Sequence, residues 1–176
     1  HLRQIGQAMT MYAGQNGRWY PPHQVGGGPH WTDKATDALV PTYLNNPELF
    51  YCPLAYPRYN PQKYWNTGWF TSCRYVWGYQ YMGNFDMSGF ALFPDDTVVP
   101  KLMGMQREGP TQALLQDNVW HSVADGHYNG GHPMRDYDPR PPEDVNVFFV
   151  DGRVENRPFK SLVHRAGNGG SYFYWP

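Results

Sequence analysis

The stretch His1–Gly17, HLRQIGQAMTMYAGQNG, decides how the rest of the chain reads. Leu2, Ile5, Met9 and Tyr12 recur at spacings of three and four, with Ala8 and Ala13 beside them, so one apolar stripe runs along a helix. Arg3, Gln4, Gln7, Thr10 and Gln15 fall on the other side. Gly17 stands where a helix stops, because glycine enters the left-handed C′ conformation without steric cost, and Pro21-Pro22 follow. No Ser, Thr, Asp or Asn precedes Leu2 to satisfy the first free N–H groups. A helix with a built stop and no built start reads as the lower part of a longer one. This divides the chain into a stem (residues 1–17) and a loop-rich head (residues 18–176) that together form one domain.

Outward from the stem, Gly17–Trp31 is rich in Gly and Pro and reads as loop. Thr32 or Asp33 caps a second helix carrying Ala35 and Leu39, which Pro41 interrupts. Asn46-Pro47-Glu48 has the cap-then-Pro order of a short helical turn leading to Leu49–Cys52. Residues 55–71 read as an irregular excursion. From Cys73 to Tyr81, Tyr75, Trp77, Tyr79 and Tyr81 alternate with Arg74, Val76, Gly78 and Gln80, the pattern of a strand with one aromatic face. Residues 83–110 carry no firm period. Thr111–Gln116 reads as a short strand, and the polar stretch from His121 to Asp144 as a loop too long for an ordinary connection. Val145–Arg157 is the clearest local signal: VNVFFV is a buried strand, Asp151-Gly152 suits a two-residue type I′ turn, and RVENR returns. The tail YFYWP packs on the sheet or presents an aromatic patch. The fold class is therefore α+β, an N-terminal amphipathic helix packed on a small antiparallel sheet with long loops.

Composition narrows the function. At 176 residues one core can form, burying roughly 70% of the unfolded surface. A net charge of −1 gives no basic field for nucleic acid or anionic lipid. The residues given contain no run of eighteen apolar positions, so they hold no membrane-spanning helix. Fourteen Tyr, nine Phe and seven Trp, with abundant Gly and Pro, favour a β-containing fold over a helical bundle. Those aromatics either hold long loops onto the core or form a sugar-stacking or protein-docking surface, and the core reading is preferred.

The segment LRQIGQAMTMYAGQNGRWYPP resembles the region after the hydrophobic N-terminal helix of type IV pilin-like proteins and type II secretion pseudopilins. In particular it resembles a prepilin-type family marked by a C-terminal His followed, nine residues on, by Asp-Gly. Leu49–Pro53 (LFYCP), Thr111–Asn118 (TQALLQDN) and Asn146–Glu155 (NVFFVDGRVE) match as well. In this chain Asp151-Gly152 fits the motif, but eighteen residues separate it from His132, with an insertion through MRDYDPRPPED. His132 therefore reads as a side chain tying its loop to the sheet. The resemblance implies a membrane-spanning segment upstream of His1, processing by a prepilin peptidase, and anchorage in the inner membrane with the head in the periplasm or at the cell surface. It implies a non-enzymatic structural subunit of a secretion pseudopilus or type IV pilus-like filament, whose partners are other pilin-like subunits and the assembly machinery. Leu2, Ile5, Met9 and Tyr12 would dock the stem on its own sheet. The alternative is an anchored surface module that binds polysaccharide or protein.

In an exported protein, Cys52 and Cys73 would suit a disulfide constraining the unfolded chain by roughly 3 kcal/mol, the alternative being two buried thiols. Some pseudopilins hold calcium in a C-terminal loop, and Asp117, Asn118 and Asp125 are hard oxygen donors of the right kind, although an ordinary Asx turn explains them equally. No other cofactor is implied. His121, His127 and His132 with Asp117, Asp125 and Asp136 suggest a metal-dependent hydrolase, but no spacing fixes two ligands on one rigid face and no further ligand is nominated elsewhere. No nucleophile elbow or phosphate loop is present, Gly26-Gly27-Gly28 lacks a strand–helix context, and Cys52 is a weak nucleophile candidate.

Overall fold

A computed structural model describes residues 1–23, 28–55, 60–70, 73–84, 91–92, 113–132, 135–167 and 171–175. Gly26, Gly27, Tyr56, Tyr59 and the side chains of Trp69, Phe70 and Asp136 lie outside the described residues. The fold is α+β. Helix α1 (Leu2–Gln15) buries Leu2, Ile5, Ala8, Met9 and Ala13. Tyr12 is half-buried, its ring edge-on to Tyr43 at 6.0 Å. Burial of Ile5 and Met9 contributes about 1.5–3 kcal/mol each. Arg3, Gln4, Gln7 and Thr10 stay exposed. The helix ends as its composition requires: Gly17 takes φ +62°, and the Arg18 N–H reaches back to the Ala13 carbonyl at 2.8 Å.

Helix α2 (Asp33–Leu39) follows, then 3-10 turns at Pro47–Phe50 and Pro53–Ala55, and the one-turn helix α3 (Pro61–Tyr64). Asn46 caps the first of these turns, its Oδ1 accepting the Glu48 N–H at 3.0 Å. The strands in chain order are β1 (Trp65–Phe70), β2 (Cys73–Tyr75), β3 (Tyr79–Tyr81), β4 (Ala91–Leu92), β5 (Ala113–Asp117) and β6 (Val119–Ser122). They continue with β7 (Tyr128–Gly130), β8 (Arg135–Asp138), β9 (Asp144–Phe149), β10 (Val154–Pro158), β11 (Val163–Gly167) and β12 (Ser171–Trp175). All pair antiparallel, as a two-stranded β1-β2 ribbon, a four-stranded sheet β10-β9-β5-β3 and a six-stranded sheet β4-β11-β12-β6-β7-β8.

The four-stranded sheet is covered on both faces. Phe148, with Leu114 and Leu115, joins the core that contains Ile5, Met9, Leu39, Phe50 and Trp77. Val145, Val147 and Phe149 point the other way, into a second core with Val119 and Leu162 that Phe159 and Tyr174 cover. Two-sided burial is why VNVFFV reads as a nearly unbroken apolar run. The aromatics go largely inward: the Phe50 ring lies 4.6 Å from that of Trp77 and 5.1 Å from that of Trp65.

Several expectations change. The Cys73–Tyr81 strand is broken into β2 and β3, because the Trp77 and Gly78 N–H groups leave the ladder for the His30 and Phe50 carbonyls at 3.0 and 2.9 Å. The stretch from His121 to Asp144 is not one loop: it supplies the end of β6 and all of β7 and β8. Residues 61–70 likewise form α3 and β1. The Val145–Arg157 hairpin forms, but not through a type I′ turn. Gly152 has φ +90° and Asp151 does not enter positive φ; the Phe149 N–H donates to Arg153 O at 3.0 Å, so the loop holds three residues. Asp151 favours this form because its carboxylate accepts the Arg153 N–H at 3.1 Å. The C-terminal aromatic strand β12 packs between β11 and β6. Among the described residues no helix is long and apolar enough to cross a membrane.

Candidate functional site

The expected site residues do not assemble as first grouped. Asp125 is exposed in the turn between β6 and β7, and its Oδ1 accepts the His127 N–H at 3.1 Å, a local Asx turn. Hydrogen bonds from Ser122 and the His127 N–H hold its carboxyl below the usual range. Asn118 is buried, its Oδ1 occupied by Gln80 Nε2 at 3.1 Å. Asp117 turns away into the protein. Asp125 thus makes the ordinary Asx turn, while Asn118 and Asp117 make their contacts inside the protein. Asp151 and Gly152 sit at the far tip of the β9-β10 hairpin, roughly 17 Å of strand from Asp144, where His132 is held. Asp151 pairs there with Arg153.

Nor do the cysteines bond to each other. Both are buried free thiols with separate partners. Cys73 Sγ donates to the Tyr75 carbonyl at 3.0 Å and to Asp33 Oδ1 at 3.3 Å. The same Asp33 carboxylate accepts the Arg74 and Tyr75 N–H groups, fixing the start of α2 to β2. Burial, reinforced by Asp33, pushes the Cys73 thiol up to about 12.

Cys52 faces a different set. It follows the 3-10 turn at Pro47–Phe50, which the Gly78 N–H holds to the sheet through Phe50 O at 2.9 Å. His132 arrives from β7. At Gly130 the backbone passes so close to Asn118 that a β-carbon would lie 1.5 Å from the Asn118 oxygen, and φ is +93°; only glycine permits the approach. Backbone bonds between His132 and Asp144, at 2.8 and 3.2 Å, then lock the histidine beside the start of β9.

The outcome is a buried cluster of three unlike donors. Cys52 Sγ lies 3.2 Å from His132 Nε2, and His132 Nε2 lies 3.6 Å from Asp117 Oδ2. One ligand atom from each of Cys52, Asp117 and His132 falls within 4.8 Å of the others, the one such His, Cys, Asp or Glu group among the described residues. On the far side of the ring, His132 Nδ1 is 3.3 Å from Asp144 Oδ1 and 3.3 Å from Asn146 Nδ2. The Nδ1 side of the ring thus meets both a carboxylate oxygen and an amide N–H donor, while Nε2 faces the thiol and Asp117. Asp117 Oδ2 accepts the Asn146 N–H at 2.6 Å, while its Oδ1 is buried with no hydrogen-bond partner. Burial raises the Asp117 carboxyl above the usual carboxylate range, against the opposing pull of His132 and the Asn146 N–H. Burial also raises the phenol of Tyr79, with charge at Cys52 and Asp117 adding to it.

The histidine of this site was readable as a tie between loop and sheet, and that tie is present. The thiol partner was not readable, because Cys52 stands 80 residues away in sequence and carries no spacing signature. Comparison with protein-family models, curated proteins and solved structures found no match.

Proposed function

We propose that this chain is a pilin-like structural subunit, the head and lower stem of a filament or pseudopilus protein. The observation that carries the reading is α1 itself, laid by Leu2, Ile5 and Met9 on an antiparallel sheet with the Phe148 ring against Gly6. That leaves an uninterrupted outer face of Arg3, Gln4, Gln7 and Thr10 along the helix. Met11, at 58% exposure, and Trp19, at 51%, add apolar surface on and just beyond the helix. Such a face supplies polar and apolar contacts to neighbouring subunits while the head projects outward. The activity is mechanical: helix packing transmits assembly force, and the two-sided sheet resists it.

The test is the coding sequence upstream of His1, followed by expression of that full product with a prepilin peptidase. A short basic leader ending in Gly, an apolar segment of about twenty residues, cleavage after that Gly and sedimentable filaments are the expected results. A product behind an ordinary signal peptide, or one that stays uncleaved and monomeric, would overturn the proposal.

A further inference from the structure

We infer that Cys52, Asp117 and His132 form a binding site for a zinc-class divalent ion, with Asp144 as the outer carboxylate that orients the histidine. The donor chemistry comes first. A thiolate, an imidazole nitrogen and one carboxylate oxygen suit zinc and its neighbours, whereas calcium takes six to eight oxygens and magnesium keeps an oxygen octahedron.

The spacing agrees. Tetrahedral zinc with bonds of about 2.3 Å to sulfur and about 2.0–2.2 Å to nitrogen and oxygen separates its ligand atoms by about 3.4–3.6 Å. The observed edges are 3.2 Å from Cys52 Sγ to His132 Nε2 and 3.6 Å from His132 Nε2 to Asp117 Oδ2. The third edge, from Cys52 to Asp117, is within 4.8 Å, so small shifts bring the three atoms to three corners of such a tetrahedron, and among the described residues no fourth His, Cys, Asp or Glu joins them.

Charge and hydrogen bonding point the same way. Asp117 is 3% exposed, and its Oδ1 has no partner, a costly arrangement for a carboxylate. A dication held by one thiolate and one carboxylate is neutral overall, so a bound ion removes the cost that an isolated buried charge would carry. On binding, the Cys52 S–H bond breaks, the sulfur keeps the electron pair for the metal, and the proton leaves to solvent. With an ion on Nε2, His132 would be the neutral ring with its proton on Nδ1, 3.3 Å from Asp144 Oδ1, the carboxylate–histidine pairing that commonly backs a metal ligand. Because Cys52, Asp117 and His132 come from the 3-10 turn region, the end of β5 and the segment after β7, the ion would cross-link three distant parts of the chain.

The experiment uses the whole chain purified without a metal-affinity tag, stripped with chelator and titrated with cobalt(II) and then zinc(II). The expected result is one cobalt per chain with a thiolate-to-cobalt charge-transfer band, displaced by zinc, and a zinc-dependent rise in Tm. Cys52→Ser loses the band, Cys73→Ser keeps it, and Asp144→Asn weakens binding by about 10–100-fold. Circular dichroism confirms that each variant is folded, and the wild-type titration stands whether or not Cys52→Ser folds. A featureless cobalt titration with no stoichiometric metal, or a band that survives in folded Cys52→Ser, overturns the site. Neither outcome depends on filament assembly.

Discussion

The Phe148 ring lies directly over Gly6: a β-carbon built on Gly6 would fall 2.3 Å from the ring's Cζ and 2.4 and 2.5 Å from its Cε atoms. Phe148 is 2% exposed and has no room to withdraw. Glycine at this helical position is thus a packing requirement that overrides its poor helix propensity. Gly6→Ala is expected to destabilise by about 1–3 kcal/mol despite the intrinsic gain. Gly14 in the same helix has nothing within 4 Å of its built β-carbon, so Gly14→Ala is expected to stabilise by about 0.4–1 kcal/mol. Urea denaturation of the two variants checks the pair, and equal effects in the same direction would remove the Phe148 contact as the cause.

How far the fold was legible follows from where its information sits. The stem helix and the Val145–Arg157 hairpin were readable because their periods, stops and turn residues lie within one segment. The break between β2 and β3 was not, since it depends on carbonyls of His30 and Phe50 brought in from other parts of the chain. The His121–Asp144 stretch looked like loop because β7 and β8, which pair locally with β6 and with each other, are polar and carry no apolar alternation. For the site, the oxygens of Asp117, Asn118 and Asp125 read equally as a hard-cation set or as ordinary turn contacts, and only Asp125 shows the turn contact. For Cys52 and Cys73 a disulfide and two buried thiols were both open in the sequence, and packing gives each thiol its own partner.

That separation of thiols is directly countable. Unfolded in denaturant without reductant, the metal-free chain should release two equivalents of thiol to a disulfide reagent. A count of zero would restore the Cys52–Cys73 bridge and dismantle the buried cluster.

Cys73 also sets an alkaline limit. Its native thiol is pushed up to about 12 from an ordinary value of 9.0, so the folded state holds the proton that the unfolded state releases between those values. Fewer protons on the unfolded chain means stability falls as pH rises from about 9 to about 12. The buried phenols of Tyr51, Tyr79 and Tyr81 are raised too and add to the same loss. The diagnostic quantity is therefore the slope difference: Cys73→Ser should lose stability less steeply with pH than the parent. Parallel slopes in alkaline denaturation would mean the thiol is not protected as described.

A buried hydrogen bond from Trp77 Nε1 to Thr36 Oγ1, 2.9 Å long, also holds helix α2, with both residues at most 1% exposed. Thr36→Val keeps the volume and removes the acceptor, leaving the indole N–H unsatisfied at a cost of about 1–3 kcal/mol. Thr36→Ser keeps the acceptor and gives up only a methyl, a smaller loss of about 0.5–1.5 kcal/mol. Chemical denaturation should rank the parent above Ser and Ser above Val. The opposite order of the two variants would show that the methyl, not the bond, matters here.

The deepest polar contacts join the two larger sheets and should behave as one unit. Gln80 Nε2 donates to the Val119 carbonyl at 2.6 Å and to Asn118 Oδ1 at 3.1 Å, while Gln116 Nε2 donates to Gln80 Oε1 at 2.8 Å and to the Tyr174 carbonyl. Gln80 and Gln116 are both fully buried and directly opposite on β3 and β5. Gln80→Met fills the space but strips Asn118, whose Nδ2 already lacks a partner, of its remaining side-chain bond. The expected cost is about 2–4 kcal/mol, from more than one orphaned group at about 1–3 kcal/mol each. Gln116→Met should cost less, since it orphans only Gln80 Oε1 and the Tyr174 carbonyl. Because the two share a bond, the double variant should fall short of the summed single losses by at least about 0.5 kcal/mol. Strict additivity in that cycle would mean the glutamines are stabilised separately and that their shared bond does not couple the two sheets.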